Sequence, residues 1–299
     1  MWPVREAEEF DMAKAPEGLD RNQLVIASRR VLLDGLTALH PHLEALTVVG
    51  AQAVYLRTPG ASMQAAPFTS DADLSLDPAA LDDQPLVDEA LRTAGFTLKQ
   101  DNQPGLWERT EQVDDQDVPI ELDILVGKIL TKTGSRSAKI PPHGKMTARW
   151  VTGLEACAVD RSPMVIPSLD PADERSVTAN VAGPAALLIA KAYKIADRHA
   201  KAHTHPDRLT NKDAGDVYRI MATVPIREVA KTLTALVQDP RVSPIASEGF
   251  ELLRQLFGGA DTPGVSLAVE AHTGDVPEET IRLAAPAYIN RLTTELANL

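Results

Sequence analysis

Apolar residues near the start of the chain recur at the spacing of an α-helix. The pattern predicts a helix over residues 21–40, capped by Asp20, with a buried face formed by Leu24, Ala27, Val31, Leu32, Leu36 and Leu39. Thr47-Val48-Val49-Gly50 then reads as a short buried strand ending in a glycine, and residues 51–57 begin a second helix. A loop over 58–68, with prolines and a glycine, separates it from the next strand.

The following segment predicts a mixed sheet. Residues 71–76 alternate polar and apolar side chains, as a half-buried strand does, and residues 86–94 form a helix that ends at Gly95. Three further strands are predicted at 96–100, 106–110 and 118–126, with turns at 101–105 and 114–117. The order of elements, α-β-α-β-α-β-β-β, indicates an α/β (α+β) fold in which a mixed sheet carries flanking helices.

From about residue 180 the pattern becomes helical throughout. Helices are predicted over residues 185–200, 212–222, 226–237, 243–257 and 278–297. We expect a boundary in the proline-containing stretch 161–180, which divides the chain into a first domain over 1–165 and a helical domain over 166–299.

Composition favours a soluble, cytoplasmic protein. Of the 299 residues, 44% are hydrophobic, which is enough for a core, yet no uncharged apolar stretch approaches the roughly 18 residues of a membrane span. The single cysteine, Cys157, excludes a disulfide within the chain, so a reducing compartment is the expectation.

Charge is distributed very unevenly. Residues 66–123 hold fifteen acidic and three basic residues, and this excess of −12 equals the net charge of the whole chain. The next segment, Lys128–Arg149, has six cations and no acid: Lys128, Lys132, Arg136, Lys139, Lys145 and Arg149. We call this segment the basic strip. Two solvated surfaces of opposite sign would explain the pattern, and so would a metal site beside a phosphate-binding wall.

The strongest candidate for chemistry is Asp71-Ala72-Asp73. On a strand, residues two apart point to the same face, so both carboxylates project together and repel each other. A hard divalent cation relieves that repulsion, and magnesium in particular binds one or two carboxylates while keeping sites for substrate phosphates. Magnesium is therefore the expected cofactor, with manganese as the alternative.

Two further features strengthen this hypothesis. The apolar strand at 118–126 carries a second acid pair, Glu121 and Asp123, whose carboxylates must be exposed in a cleft or compensated by charge. The turn at Gly50-Ala51 joins a strand to a helix, and backbone N–H groups at such a helix start can hold a phosphate.

Together these features resemble the nucleotidyltransferase superfamily, and more closely its AbiEii-like or MenA-like branch, the toxins of type IV toxin–antitoxin systems. The resemblance covers residues 46–222. Beyond the glycine turn and the acids, it rests on two helical segments, Ala190–Arg198 and Asn211–Tyr218, which match the family's lysine-containing helix and its Lys-Asp-x-x-Asp-Val-Tyr helix. The resemblance implies a nucleotidyltransferase fold whose active-site cleft is completed by the helical domain.

The resemblance also implies roles for individual residues. Asp71 and Asp73 would bind magnesium, and Asp123 would be the third carboxylate and a metal ligand, with Glu121 as the alternative. Lys191 and Asp213 would belong to the catalytic centre, Asp213 orienting Lys191 or contacting the base. The predicted nucleotide contacts are Gly50, Ala51, Thr69, Ser70, Lys194 and Lys212.

Some positions depart from the family pattern. The turn has Gly50-Ala51 where relatives often carry Gly-Gly or Gly-Ser, the interval from Gly50 to Asp71 is longer than usual, and Pro67 stands where an arginine is common. These changes leave the acids in place and put the phosphate contacts in question.

The implied activity is magnesium-dependent transfer of a nucleoside monophosphate from a nucleoside triphosphate to an acceptor, with release of pyrophosphate. The acceptor implied is RNA, such as a tRNA, bound through the basic strip, and the protein would be a toxin with a cognate antitoxin. Two alternatives stay open. The acceptor could be a small molecule, as in antibiotic adenylyltransferases, or the fold could serve as a non-catalytic nucleotide-binding or interaction module.

Overall fold

The computed structural model describes residues 19–61, 69 and 71–298. The predicted loop contact Ser70, and most of the predicted loop over 58–68, lie outside the described residues. Within them, helices alternate with strands up to residue 182 and helices alone follow. The predicted mixed α/β sheet with flanking helices and C-terminal helices is therefore confirmed.

The strands occupy the first two thirds of the chain. Their bounds are β1 Leu46–Val48, β2 Asp71–Leu76, β3 Thr97–Leu98, β4 Leu106–Val113, β5 Gln116–Gly127, β6 Lys132–Thr133, β7 Ala138–Lys139, β8 Arg149–Val151, β9 Arg161–Pro167 and β10 Ser176–Ala182. Short 3-10 turns cover His40–Ala45, Lys128–Leu130, Glu155–Ala158 and Pro206–Arg208.

Helices frame the sheet and then form the C-terminal layer. Their bounds are α1 Arg21–Ala38, α2 Gly50–Arg57, α3 Val87–Thr93, α4 Pro184–Ala200, α5 Lys212–Thr223, α6 Ile226–Gln238, α7 Ser243–Phe257, α8 Pro263–Ala271 and α9 Glu278–Ala297. None of the helices in the described part of the chain is long and apolar enough to cross a membrane.

The main sheet runs β3-β4-β5-β2-β1-β10-β9, and β8 pairs with the far end of β5. The strand β2 lies between β1, which is antiparallel to it, and β5, which is parallel to it. The central strand β5 is buried from Leu122 to Gly127, which explains why its sequence reads as a continuous apolar run. The helix α1 packs across β2, β4 and β5 with the apolar face that its spacing predicts.

Local signals explain several boundaries. The side chain of Asp20 accepts the N–H of Asn22 at 2.7 Å and caps α1, as predicted. The β4–β5 hairpin turns on Asp114 and Asp115, which both adopt positive φ, as a two-residue type I′ turn requires. The predicted turn over 114–117 is therefore too long, because Gln116 and Asp117 already belong to β5.

The predicted domain boundary between residues 165 and 166 lies in the part of the chain that forms the last two strands of the sheet. It falls inside β9, and β10 pairs in parallel with β1 near the middle of the sheet. The strand β9 contains Pro163 and Pro167, which made the stretch look like a linker, but it lies at the sheet edge, where missing N–H donors are tolerated. The change to helices comes at Pro184.

The packing of α1 on β5 generates a stability prediction. Leu122 is fully buried, and its Cδ2 lies 2.8 Å from where a Cβ on Gly35 of α1 would be. Leu122→Ala is expected to lower the free energy of unfolding by about 2–5 kcal/mol, because it leaves a cavity in the core. Urea denaturation checks this, with Leu283→Ala, at a position 76% exposed, as the control expected to change it by less than ~0.5 kcal/mol. Equal losses in both variants would contradict this packing.

Candidate functional site

The predicted carboxylates meet on two neighbouring parallel strands. The register of β2 and β5 sets Asp71 opposite Glu121 and Asp73 opposite Asp123. Since side chains two residues apart share a face of a strand, these four acids form a two-by-two arrangement on one face of the sheet. Asp71 and Asp73 are half-buried and Asp123 is buried, so the charges lie at a partly closed surface.

Gly50 lies against this arrangement. Its φ is +69°, and a Cβ at this position would come within 2.0 Å of Asp73 Oδ2. The N–H of Val49 donates to the backbone oxygen of Asp73 at 3.0 Å. Glycine is therefore required both by the backbone conformation and by the close approach of a carboxylate. The predicted contact Ala51 follows in the first turn of α2 and is buried.

Asp71 is compensated from the helical half of the molecule. Thr69 Oγ1 donates to Asp71 Oδ1 at 2.5 Å, and Lys212 Nζ lies 3.2 Å from Thr69 Oγ1 and 3.8 Å from Asp71 Oδ1. Burial raises the pKa of Asp71, but Lys212, the Thr69 hydroxyl and Lys194 lower it more, so the pKa lies below its ordinary value. Lys212 is the first residue of α5, so this helix start joins the helical layer to the sheet acids.

A hydrogen-bond network behind the strand fixes the backbone of Asp71. Ser28 Oγ of α1 donates to the Asp71 oxygen at 2.8 Å, and Gln52 Nε2 of α2 donates to Ser28 Oγ at 2.8 Å. Arg29 Nε in turn donates to Gln52 Oε1 at 2.8 Å. Sequence reasoning missed these three residues, and the available signal was their polarity on helix faces that are otherwise apolar.

Asp123 is held by an arginine of the basic strip. Arg149 Nη2 donates to Asp123 Oδ2, while Asp123 Oδ1 is buried and has no hydrogen-bond partner among the described residues. Burial raises the pKa of Asp123 to about 8; Arg149 acts against that rise, and Asp73, Asp71 and Glu121 add to it. The contact of Arg149 with the acid cluster is a second feature that the sequence did not predict.

Glu121 is already paired. Lys99, the residue that follows β3, contacts Glu121 through its Nζ, which lies 2.5 Å from Glu121 Oε1. Of the two candidates for the third carboxylate, Asp123 has an oxygen left without a partner and lies beside Asp73, which favours it.

Lys191 and Asp213 come together in the interior of the helical layer. Lys191 Nζ donates to Asp213 Oδ1 at 2.7 Å and to Asp216 Oδ2 at 2.5 Å, and all three residues are buried. Burial lowers the pKa of Lys191, but Asp213 and Asp216 raise it more, so the lysine stays charged. Lys191 is thus no solvent-facing helix residue, and Asp216 is a partner that sequence reasoning overlooked.

Two more cations converge on the same aspartate. Lys194 Nζ lies 3.3 Å and Arg198 Nη1 lies 3.2 Å from Asp213 Oδ2. The side chain of Lys194 is 51% exposed, so it can reach a ligand in the cleft. Burial and Asp71 raise the pKa of Asp73 to about 6, while Lys194, Lys212 and Lys191 act in the opposite direction. The helical cations therefore lie close enough to the sheet acids to shift their pKa values.

The acids fit a divalent cation only in part. Asp71 and Asp73 share a face of the sheet, and the carboxylate of Asp73 lies close to Gly50. Asp123 Oδ1 has no hydrogen-bond partner among the described residues. In the described part of the chain, however, no group of three or more His, Cys, Asp and Glu side chains is arranged to hold a metal ion. The arrangement suits a cation bound by two carboxylates and completed by water and a phosphate, as magnesium prefers.

The ion cluster at Lys191 generates a stability prediction. Lys191→Met leaves Asp213 and Asp216 buried without their main cation, and it is expected to lower the free energy of unfolding by about 3–5 kcal/mol. Lys194→Met, on the same helix and exposed, is the matched control and should cost less than ~1 kcal/mol. Urea denaturation measures both, and a Lys191→Met variant as stable as wild type would contradict the buried network.

The pKa of Asp73 generates a pH prediction. It is about 6 in the fold and about 3.9 in an unfolded chain, so the folded state holds the extra proton between these values and loses stability as the pH rises through them. Asp73→Asn removes that loss. The variant should exceed wild type by ~1–2 kcal/mol at pH 8 and match it at pH 4, as urea denaturation at both values would measure. A difference independent of pH would contradict the assignment.

Comparisons with known proteins identify no relative of this chain. No family model, no curated protein and no solved structure matches the chain.

Proposed function

We propose that the chain is a magnesium-dependent nucleotidyltransferase, which moves a nucleoside monophosphate from a nucleoside triphosphate to an acceptor hydroxyl. The observation that carries the proposal is the acid arrangement on β2 and β5, with Asp71 contacted by Lys212 from α5. A metal-bound polyphosphate needs acids that bind the cation and lysines that bind the phosphates. The carboxylates of β2 and β5 and the lysines of the helical layer supply both.

Magnesium bound by Asp71 and Asp73, with Asp123 adjoining, would supply charge neutralisation of the triphosphate. Lys194 and Lys212 are exposed enough to contact phosphate oxygens. Lys191 is fully engaged with Asp213 and Asp216, so its part is to position Asp213, which in turn holds Lys194 and Arg198 at the cleft. The N–H groups at the start of α2, after Gly50, add a phosphate-binding helix terminus.

The chemical step then needs a base and an in-line acceptor. We assign the base to Asp123, because it lies opposite Asp73 and its Oδ1 has no hydrogen-bond partner among the described residues. Asp123 takes the proton of the acceptor hydroxyl while the hydroxyl oxygen forms a bond to the α-phosphorus. The bond from that phosphorus to the bridging oxygen of the β-phosphate breaks, and pyrophosphate leaves with the electron pair.

RNA is the acceptor that we propose, and the basic strip supports it. Lys128, Lys132, Arg136, Lys139 and Lys145 are exposed, and none pairs with a carboxylate of the described residues. The sixth cation, Arg149, contacts Asp123, so the C-terminal end of the basic strip lies at the acid cluster. A tRNA or another RNA would be bound by such a surface through its phosphates.

The biological role that we propose is that of a toxin in a toxin–antitoxin pair, acting in the cytoplasm against a host RNA and held in check by a cognate antitoxin. This role rests on the family resemblance of the acid, lysine and Lys212-Asp213 segments. A small-molecule acceptor is the competing function, and the basic strip disfavours it because a small molecule has no use for five exposed, unpaired cations.

Loss of the metal-binding acids is expected to abolish transfer. Incubation with each labelled nucleoside triphosphate, magnesium and total RNA should label RNA with the wild-type chain, while Asp71→Asn and Asp73→Asn should reduce the rate by a factor of about 10³ or more, as removal of a main electrostatic contribution does. Expression of Asp71→Ala in cells should remove any growth inhibition by the wild-type protein.

Glu121→Gln is the matched control, because it removes a carboxylate of the same arrangement that is already paired with Lys99. It should retain transfer to within about tenfold. Label in RNA that survives Asp71→Asn would refute the proposed catalytic centre, and label in a small molecule in place of RNA would establish the competing function.

A further inference from the structure

A small pocket lies within the basic strip, away from the acid arrangement. It has a volume of about 290 Å³, is open to solvent and lies between the β6–β7 hairpin and the turn after β2. Apolar side chains form most of its lining: Pro78, Leu81, Leu130, Ile140 and Pro141. Thr131, His143 and two lysines, Lys132 and Lys139, complete it.

The two lysines are directly opposed. Lys132 and Lys139 are cross-strand partners in the β6–β7 hairpin, and both are exposed. Like charges facing each other across two strands destabilise a hairpin, and neither lysine has a carboxylate partner among the described residues. An external anion between the two ammonium groups would remove this repulsion.

His143 is a fixed wall of the pocket. Its Nδ1 accepts the N–H of Val87 at 3.2 Å, and its Nε2 lies 3.0 Å from the backbone oxygen of Asp82. Both ring nitrogens are thus occupied, so the histidine shapes the pocket and leaves the binding of an anion to the lysines. A lining that combines apolar side chains with two lysines suits a planar, uncharged ring attached to a phosphate.

The pocket is connected to the acid cluster by backbone pairing. Ser137, just before β7, bridges to Arg149, and the N–H of Ala138 donates to the oxygen of Ala148 at 3.0 Å. Arg149 is the residue that contacts Asp123. The strand β2 begins at Asp71 and ends at Leu76, and Pro78 of the pocket follows two residues later, so the acids and the pocket lie at opposite ends of this strand, at most ~17 Å of chain apart. A strand of several nucleotides is long enough to reach both places.

We propose that this pocket binds one unpaired nucleotide of the acceptor RNA, several nucleotides from the reacting end. The base lies against Leu81, Leu130 and Ile140, and Lys132 and Lys139 bind the flanking phosphates. The proposal deepens the proposed function by making single-stranded RNA the acceptor, but the binding itself requires no nucleotide transfer.

RNA binding by the full chain without nucleoside triphosphate tests the pocket. Fluorescence anisotropy of a labelled single-stranded RNA of about ten nucleotides, over a series of salt concentrations, gives both affinity and its salt dependence. The double variant Lys132→Gln/Lys139→Gln should bind about tenfold more weakly, and the slope of log K against log salt should be smaller by about 1.4, since each single-strand phosphate contact contributes roughly 0.7.

A second variant separates the pocket from its charge. Leu81→Asn replaces an apolar side chain of the lining without changing the charge, and it should weaken binding severalfold while leaving the salt slope unchanged. The matched control is Lys201→Gln/Lys231→Gln, which removes the same charge from exposed positions on α4's C-cap and α6 and should bind as wild type. Thermal unfolding of each variant verifies the fold.

Three outcomes would overturn the pocket: wild-type affinity and slope in the Lys132→Gln/Lys139→Gln variant, equal weakening in the control, or a fully paired duplex RNA bound as tightly as the single strand. RNA binding that depends on the two lysines, in a protein that transfers no label, would leave the pocket standing and refute the proposed function. Transfer to RNA with a KM that is unchanged in the Lys132→Gln/Lys139→Gln variant would refute the pocket and leave the proposed function standing.

Discussion

The molecule depends on the compensation of charge across one cleft. Carboxylates that lie beside each other in the middle of an apolar sheet repel, and among the described residues of the sheet half they are paired with Arg149 and Lys99. Further positive charge comes from the helical layer, where Lys212 contacts Asp71 and Lys194 acts to lower the pKa of both Asp71 and Asp73. The helices after residue 184 are therefore part of the site, and the sheet acids would be less stable without them.

The buried group around Lys191 explains how that layer keeps its cations in place. Asp213 and Asp216 hold Lys191 in the interior, and Asp213 also contacts Lys194 and Arg198 at the surface. A buried charge group of this kind has a high cost if one member is lost, so it fixes the geometry of the exposed cations. In the proposed function, the same five side chains would serve both helix packing and the positioning of cations for phosphate.

Sequence patterns predicted the helices and strands whose apolar residues recur at a regular spacing, and they missed the features that depend on tertiary contacts. The period-two spacing of Asp71 and Asp73 set both acids on one face, and the helices of the C-terminal layer followed from their apolar spacing. The strand β9 was missed because prolines interrupt it at the sheet edge, and α8 was missed because it has only nine residues, with a proline and a glycine at its start. The Arg149–Asp123 pair and the Ser28–Asp71 hydrogen bond join distant segments, so no local pattern announces them.

Calorimetry of nucleoside triphosphate binding tests most directly the claim that acids and lysines form one polyphosphate site. Titration of the full chain with each nucleoside triphosphate should give binding that requires magnesium, that Asp71→Asn abolishes and that Lys212→Gln weakens about tenfold, while Lys201→Gln leaves it unchanged. Binding that is equally strong without magnesium, or that persists in Asp71→Asn, would contradict the account.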